Sequence, residues 1–564
     1  MATSDYWERW QARRFSRRGV LGTAAVGSAG VAGLALVGCG DDDDDSGDGD
    51  STATSEGTSG TATGTGTATS EQPVRGGTLR TGTWLSVLGI DPHIEVSVGL
   101  GTGQRVYTFL GGFDNGKQEF NVLAAESYEQ VSDTEYVFKL RPDVNFANLA
   151  PMNGRKLVAD DVLYSYERFR DLEQAQNNDF FKTVVDQMTA VDETTFRLTT
   201  KLPWAEALSE IGGIQKAIVG KEDVEQRGDL STGGIGAGPF ILEEYVKSER
   251  TTLVRNPDYF NKELPYVDEV TQITILDLNT LLQAYKSDQI DINGALLTKL
   301  DYEDLEGNED LVNMKMPALH YGSFGMNASI EPWSDPRVRE AVYIGIDRQQ
   351  FIDKVFLGEA TPQGVLNNGL EYWVLPQDEF KEFTGPDVQR AKDLLSAAGH
   401  GDGLDITIET SGGVQLYIDH AEVLVSELQK IGINATLNLT DLPTYLSTKL
   451  FAGDFPSTVF THNPYETPKI PLGFYHKLGL GNGSWWHYDN PDVTALIDEQ
   501  AQELDAEKRK EIVLEAQRTI LGDWAPMLNF ASPTLFSSYN KRVGGYDPTL
   551  RGWQGFRFSE YLKS

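Results

Sequence analysis

The sequence predicts an α/β protein in which mixed β-sheets are flanked by helices and more than one lobe shares the chain. Three observations carry this. Strand and hairpin patterning fills the region before residue 200, and a strand, helix, strand signature lies between residues 404 and 439. The chain also has 564 residues, whereas one core usually serves roughly 100 to 200.

From Arg75 the chain reads as strands. Gly77 to Thr83 alternates, and Glu126 to Val131, a Ser132-Asp133 turn, then Tyr136, Phe138 and Leu140 make one side of a hairpin apolar. Val191, an Asp192-Glu193 turn, Phe196 and Leu198 repeat the pattern. From Asp335 the texture changes to alternating helix and strand: Asp335 is placed to cap a helix, Pro336 to open it, and Val338, Ala341 and Val342 share a face. A second lobe is expected to begin near here. Gly385 to Gly399 gives the clearest helix, with Val388, Ala391, Leu394, Leu395 and Ala398 at helical spacing and Gly399 as its stop. Leu404, Ile406 and Ile408 then alternate. Ile418, Ala421, Leu424, Leu428 and Ile431 recur at helical spacing, and Ile433, Ala435, Leu437 and Leu439 alternate again. This βαβ unit implies a parallel pair of strands packed under helices.

Ser16-Arg17-Arg18-Gly19-Val20-Leu21 resembles a twin-arginine export motif, and Leu36-Val37-Gly38-Cys39 resembles a lipobox after the Gly/Ala-rich stretch between them. A lipobox needs a thiol to receive the diacylglyceryl group, and the one Cys of the chain stands there. Residues 1–38 are therefore expected to be a lipoprotein signal peptide carrying Arg17 and Arg18, with lipidation at Cys39. Residues 39–74 read as a disordered acidic Ser/Thr/Gly linker, because this composition has almost nothing to bury. The Asp41 to Asp45 run lacks the spacing of a calcium loop. A plain membrane anchor over Gly19 to Gly38 is the other reading. Either way the bulk of the chain lies outside the cytoplasmic membrane and touches it only through the anchor, since no later segment approaches the ~20 apolar residues of a span. With the thiol lipidated there is no disulfide.

A formal net charge of −36 argues against nucleic acid or anionic lipid surfaces as partners and favours a cationic ligand over a multiply anionic one. A saline habitat and simple solubility both stay open as its origin.

A series of short motifs then points to one family. Arg75-Gly76-Gly77-Thr78-Leu79 with Ile90-Asp91-Pro92, Leu123-Ala124-Ala125-Glu126-Ser127 before Tyr136 to Arg141, Asn153-Gly154 with Ala159-Asp160-Asp161-Val162, and Gly236 to Phe240 follow in order. Arg255-Asn256-Pro257-Asp258-Tyr259, Phe324-Gly325-Met326-Asn327 and Asp335 to Ala341 continue the set. Together they resemble the extracytoplasmic solute-binding proteins of the peptide and nickel type, family 5, that serve ABC importers, over nearly all of residues 75 to 564. The resemblance implies a two-lobed periplasmic-binding-protein (flytrap) fold. Lobe I would span 75–318 with an extra β-rich subdomain at about 113–232, lobe II 319–524, and residues 525–564 would return to lobe I. It further implies a monomer that holds a small solute between the lobes and presents it to an ABC permease and ATPase complex. The motif residues read as structural: Asn256-Pro257-Asp258 as a tight turn, and Arg337, Arg339 and Glu340 as helix charges for a surface or lobe contact.

A cleft that takes a polar solute from water offers aromatic faces and fixed hydrogen-bonding groups. The densest such run is Phe460 to Tyr465, Phe474-Tyr475-His476 and Trp485-Trp486-His487-Tyr488, set among Gly, Pro and Asn without clean periodicity. Clustered aromatics also build cores, but this texture suits an irregular cleft wall. The candidate ligand-binding residues are Tyr321, Phe460, His462, Asn463, Tyr465, Trp485, Trp486 and His487. Replacing Trp486 or Tyr465 by Ala is expected to weaken binding by about tenfold or more without unfolding the chain. In peptide-binding members of the family a carboxylate within the segment corresponding to about Phe460 to Pro468 pairs with the ligand's α-amino group. Here Asn463 stands at that point, with Glu466 the only acid nearby, so a buried ammonium would go uncompensated. Peptide, sugar, neutral metabolite and a differently anchored cation all stay open.

His462, His476 and His487 lack the tight spacing of a protein-built metal site, so no metal and no cofactor is expected, though a metal carried by a small chelator stays open. The secreted-hydrolase reading finds no Gly-x-Ser-x-Gly elbow, zinc helix or Ser-x-x-Lys. The pairs Asp160-Asp161 and Glu243-Glu244 are adjacent, and in a strand would face opposite ways. No catalytic residue is assigned, and the chain reads as a binder. A receptor or chaperone without an importer would share the fold.

Overall fold

The computed structural model describes residues 73–95, 99–115, 117–175, 178–294, 297–318, 320–383, 385–462, 465–479, 484–547 and 558–563. Arg17, Arg18, Cys39, the acidic linker up to residue 72 and Asn463 lie outside the described residues.

The first half builds two four-stranded sheets, one on the predicted strand at Gly77 to Thr83 with three strands the sequence did not single out, the other on the predicted hairpins. One has the order Thr78–Thr83, Glu269–Thr274, Arg250–Arg255, Phe240–Val246. Its first pair is parallel and the others antiparallel, so it is mixed. Leu79, Leu253, Val270 and Phe240 pack beneath it. The other joins the two predicted hairpins into one antiparallel sheet, Ala125–Ser132, Glu135–Leu140, Thr195–Thr200, Val185–Asp192. Alternation puts Tyr136, Phe138 and Leu140 on its buried face with Phe196 and Leu198. The helix Ala159–Asp171 covers that face with Val162, Tyr166 and Phe169. Asp160 and Asp161 thus open a helix rather than lie in a strand, and Asp161 is tied to Arg155 at 2.7 Å.

The second half is built on a five-stranded mixed sheet, ordered Ile433–Thr440, Leu404–Ser411, Ser457–His462, Tyr321–Met326, Met527–Asn529. The βαβ unit falls where the periodicities put it: Leu404 stands opposite Ile433 and Ser411 opposite Thr440 in an unbroken parallel register. The crossover helix Gln415–Lys430 buries Ala421, Leu424 and Leu428 against it. The long helix before the unit runs Val388–Ala397, and starts later than Gly385 because Asp387 caps it by accepting from Arg390 N. Gly399 ends it with a φ of +95°, where a side chain would be strained.

Two strands join the halves. Leu311–Pro317 runs antiparallel to Ala531–Asn540 from Leu311 opposite Asn540 to Pro317 opposite Thr534. The first leads into Tyr321–Met326 and the second leaves Met527–Asn529, so these two neighbouring strands of the five-stranded sheet are held close to this crossing. Ile292 of the first half bridges Tyr539 of the returning strand. The result is the two-lobed fold with mixed sheets that the sequence reading anticipates.

The helix Pro336–Gly345 is capped by Asp335, with Pro336 in the first turn. One of its charges departs from expectation. Arg339 is enclosed, and its guanidinium donates to Trp524 O and Trp333 O at 2.7 Å each, so it ties one lobe together internally rather than serving a surface. Arg337 and Glu340 reach the neighbouring helix through Ala397 O and Arg390. Asn256 makes the predicted turn, accepting from Asp258 N and donating to Gly238 O.

Candidate functional site

The antiparallel strands Tyr321–Met326 and Ser457–His462 put Tyr321 opposite His462 and Ser323 opposite Phe460. Side chains two apart share a face, so Tyr321, Ser323, Phe460 and His462 stand together on one side of the sheet. The other side is taken by the crossover helix, whose His420 packs on the bare backbone of Gly322.

On the first side the rings form a continuous cluster. Tyr321 and His462 stack at 4.2 Å between centroids with an interplanar angle of 20°. His462 meets Phe460 at 4.4 Å and Phe474 at 4.8 Å. Phe474 reaches Trp485 at 5.4 Å, and Trp486 meets Phe460 at 5.4 Å. Tyr465 packs on Phe474 at 6.1 Å and is half-buried at the rim. The structure therefore brings together Tyr321, Phe460, His462, Tyr465, Trp485 and Trp486. It does not include His487, which is exposed, adopts a φ of 52°, and turns its Nε2 toward Gly453 O at 3.3 Å. His476 is buried apart from the cluster, 3.4 Å from Asp498.

Burial orders the six by depth. Trp486 is 0 % exposed and lies against Gly325, Phe455 and Phe460, which makes it the floor of the cluster. Burial alone pushes the His462 imidazole down to about 3, so it is neutral at any physiological pH. Burial, helped by Tyr465 nearby, raises the Tyr321 phenol well above its ordinary range. Among the described residues the Tyr321 hydroxyl, His462 Nδ1 and the indole N–H groups of Trp485 and Trp486 are buried without a hydrogen-bond partner.

The segment after the cluster touches the hairpin-bearing half. Asn115 Nδ2 donates to Glu466 at 3.5 Å, Thr467 Oγ1 to Glu206 at 3.0 Å and Lys469 Nζ to Glu210 at 2.8 Å. Beneath them Arg509 holds the buried carboxylate of Glu206 at 2.6 Å. Arg509→Leu would leave that carboxylate enclosed without its cation, at a cost of about 3 kcal/mol. The expected readout is a lower urea midpoint with an unchanged slope, and an unchanged midpoint would show the pair to be solvated.

Ser323, Glu206 and Arg509 were not among the residues the sequence singled out for the site, and Phe474 stood in its aromatic run without being named a ligand-binding residue. Ser323 had a weak signal, two positions from Tyr321 on the same strand. A cavity of about 260 Å³ lies elsewhere, against the first mixed sheet between Arg105, Gln272 and Glu560, and none of the predicted site residues lines it.

Comparison with known proteins accords with this architecture. Residues 119–484 match the middle region of the bacterial extracellular solute-binding proteins, family 5. A glutathione-binding protein of Pectobacterium atrosepticum is 23 % identical over 490 residues, covering 81 % of this chain and 89 % of that protein. A di/tripeptide-binding protein of Pseudomonas aeruginosa is 26 % identical over 478 residues, covering 78 % and 86 %. Among solved structures, the ABC transporter-associated periplasmic binding protein DppA of Helicobacter pylori, in complex with a peptide, superimposes with a TM-score of 0.67 at 24 % identity, over 87 % of this chain and 99 % of the other. HbpA2 of Haemophilus parasuis does so with a TM-score of 0.76 at 21 % identity, over 86 % and 100 %. By the extent of the family match, this chain belongs to the bacterial extracellular solute-binding proteins of family 5.

Proposed function

We propose that this chain is a lipid-anchored extracytoplasmic substrate-binding protein that captures a small polar solute, peptide-like or other, between its lobes and delivers it to an ABC permease and ATPase complex. Export on the Arg17-Arg18 signal and lipidation at Cys39 would tether it, with residues 39–74 as the leash. Lobe I would comprise residues 75–318 and 525–564, with the β-rich subdomain at about 113–232, and lobe II residues 319–524. Among the described residues no helix is long and apolar enough to cross a membrane.

The observation that carries the reading is the aromatic face at Tyr321 and His462. It lies beside the two crossing strands and carries buried polar atoms that no described residue satisfies. The relatives named for glutathione and for di- and tripeptides support a peptide-like solute. Asn463 in place of a carboxylate weighs against a ligand held by a free α-ammonium. The mechanism is a hinge: both lobes touch the ligand only when closed, so differential affinity shifts the population towards closure.

The test pairs two measurements on the chain with di- and tripeptides, glutathione, sugars and chelated nickel. At a hundredfold excess over Kd, a bound solute adds about 2.7 kcal/mol of stability and raises the melting temperature. The same solute should lower the radius of gyration in small-angle scattering. A solute that stabilises the chain but leaves the scattering profile unchanged would overturn the hinge.

A further inference from the structure

One of the unpartnered buried atoms, His462 Nδ1, has its role fixed by the network behind it, and the Tyr321 ring stacks against it. Tyr321 is 1 % exposed and His462 4 %. Behind them, Asn529 Nδ2 donates to Gly364 O at 3.0 Å and Val365 O at 2.7 Å, and since carbonyls only accept, this orients the amide with Oδ1 towards Ser323. Ser323 Oγ gives its one proton to that Oδ1 at 2.6 Å. His462 Nε2, 2.9 Å from Ser323 Oγ, must therefore be the donor of their bond. The imidazole is held in one tautomer, and its Nδ1 carries a bare lone pair that no donor among the described residues meets. The Tyr321 hydroxyl, on a ring stacked against that imidazole, has neither donor nor acceptor among the described residues.

We propose that the Tyr321 hydroxyl and His462 Nδ1 together receive one neutral hydrogen-bonding group of the solute, an amide or a hydroxyl, and select against solutes that bring a carboxylate or an ammonium to that point. The proposal rests on the solute-binding reading above and names its specificity. A lone pair facing a carboxylate repels it. An ammonium would need a carboxylate, and the rings touching the pair, Phe460, Phe474 and Tyr465, are uncharged. A neutral amide matches the roles of both atoms, with its N–H to His462 and its carbonyl accepting from Tyr321. A sugar hydroxyl, which donates and accepts, fits as well.

The test uses the full chain and Tyr321→Phe, which removes an unpartnered hydroxyl and keeps the ring. Its melting temperature without ligand should equal or exceed the parent's. Calorimetric titrations with trialanine, N-acetyl-trialanine amide, reduced glutathione and glucose separate zwitterion, neutral amide and polyol. The neutral probe of one class should bind at least about tenfold more tightly than trialanine, and Tyr321→Phe should weaken it about tenfold to a hundredfold. Nitrogen-15 spectra of histidine-labelled protein, with His462 identified by its loss in His462→Phe, should show Nε2 protonated and Nδ1 bare before ligand. An Nδ1–H tautomer, a destabilised Tyr321→Phe, equal binding by that variant, or preference for trialanine would each overturn the proposal while leaving a solute binder standing. Failure of every probe to bind the parent chain would count against the solute reading itself, and this proposal would fall with it.

Discussion

Trp486→Ala is expected to destabilise the chain by about 3–5 kcal/mol, the range for emptying an aromatic site in a packed core. The indole is fully enclosed. It lies on the backbone of Gly325, where a Cβ would come within 2.2 Å of its Cζ3, and it packs between Phe455, Phe460 and Trp485. The sequence reading makes Trp486 a binding anchor whose loss spares folding. The depth of the ring says that folding suffers first. Gly325→Ala should be costly for the same reason, since the indole must move to admit a methyl group. In a Trp486→Ala background that cost should largely vanish, because the two changes act on one contact. Urea denaturation of the four proteins of this cycle reads the coupling. Additive effects, or a Trp486→Ala chain with an unchanged midpoint and lost binding, would return the indole to the ligand surface. Tyr465, half-buried at the rim, keeps the original expectation: weaker binding with little change in stability.

That contrast shows where the sequence stops being informative. The βαβ unit was legible because Ile406 and Ile408, then Ala421, Leu424 and Leu428, repeat at periods that only one geometry each satisfies. The aromatic cluster was legible as a cluster, since strand spacing and composition both pointed to Phe460 to Trp486. Depth within it was not, because a buried Trp and a rim Tyr obey the same local preferences and differ only in what the fold lays over them. His487 follows its two Trp neighbours in sequence, yet its positive φ turns it out of the cluster. Contacts that join distant segments left no local trace. Ser323 and His462 are 139 residues apart, and Glu206 and Arg509 are 303 apart. Arg339 shows the reverse case, a charge that reads as surface and is held inside by two backbone carbonyls.

The chain should lose stability steeply on mild acidification, and histidines are the reason. His93 and His420 are pushed down to about 4 and His462 to about 3, chiefly by burial. His93 has its Nδ1 against the guanidinium of Arg168 and its Nε2 on Ala217 O, so a second ring proton would face a cation. His420 gives its Nδ1 proton to Leu416 O and turns its Nε2 to the backbone of Gly322, where no described residue accepts. The folded values lie below the ~6.5 of an unfolded histidine, so the unfolded chain binds more protons throughout the interval between them. Stability is therefore complete above about pH 6.5 and falls as the pH drops towards 4. At pH 5 each ring costs about 2 kcal/mol, and the three together remove about 6 kcal/mol, comparable to the whole stability of many domains. Relief of repulsion among the carboxylates works in the opposite direction and softens the fall. Near pH 5.5 the histidine contribution corresponds to a slope of about 3 to 4 kcal/mol per pH unit, an uptake of nearly three protons on unfolding. Urea midpoints between pH 8 and pH 5 measure that slope directly. A flat profile across this window would mean that the three rings are hydrated in solution, His462 of the aromatic cluster among them.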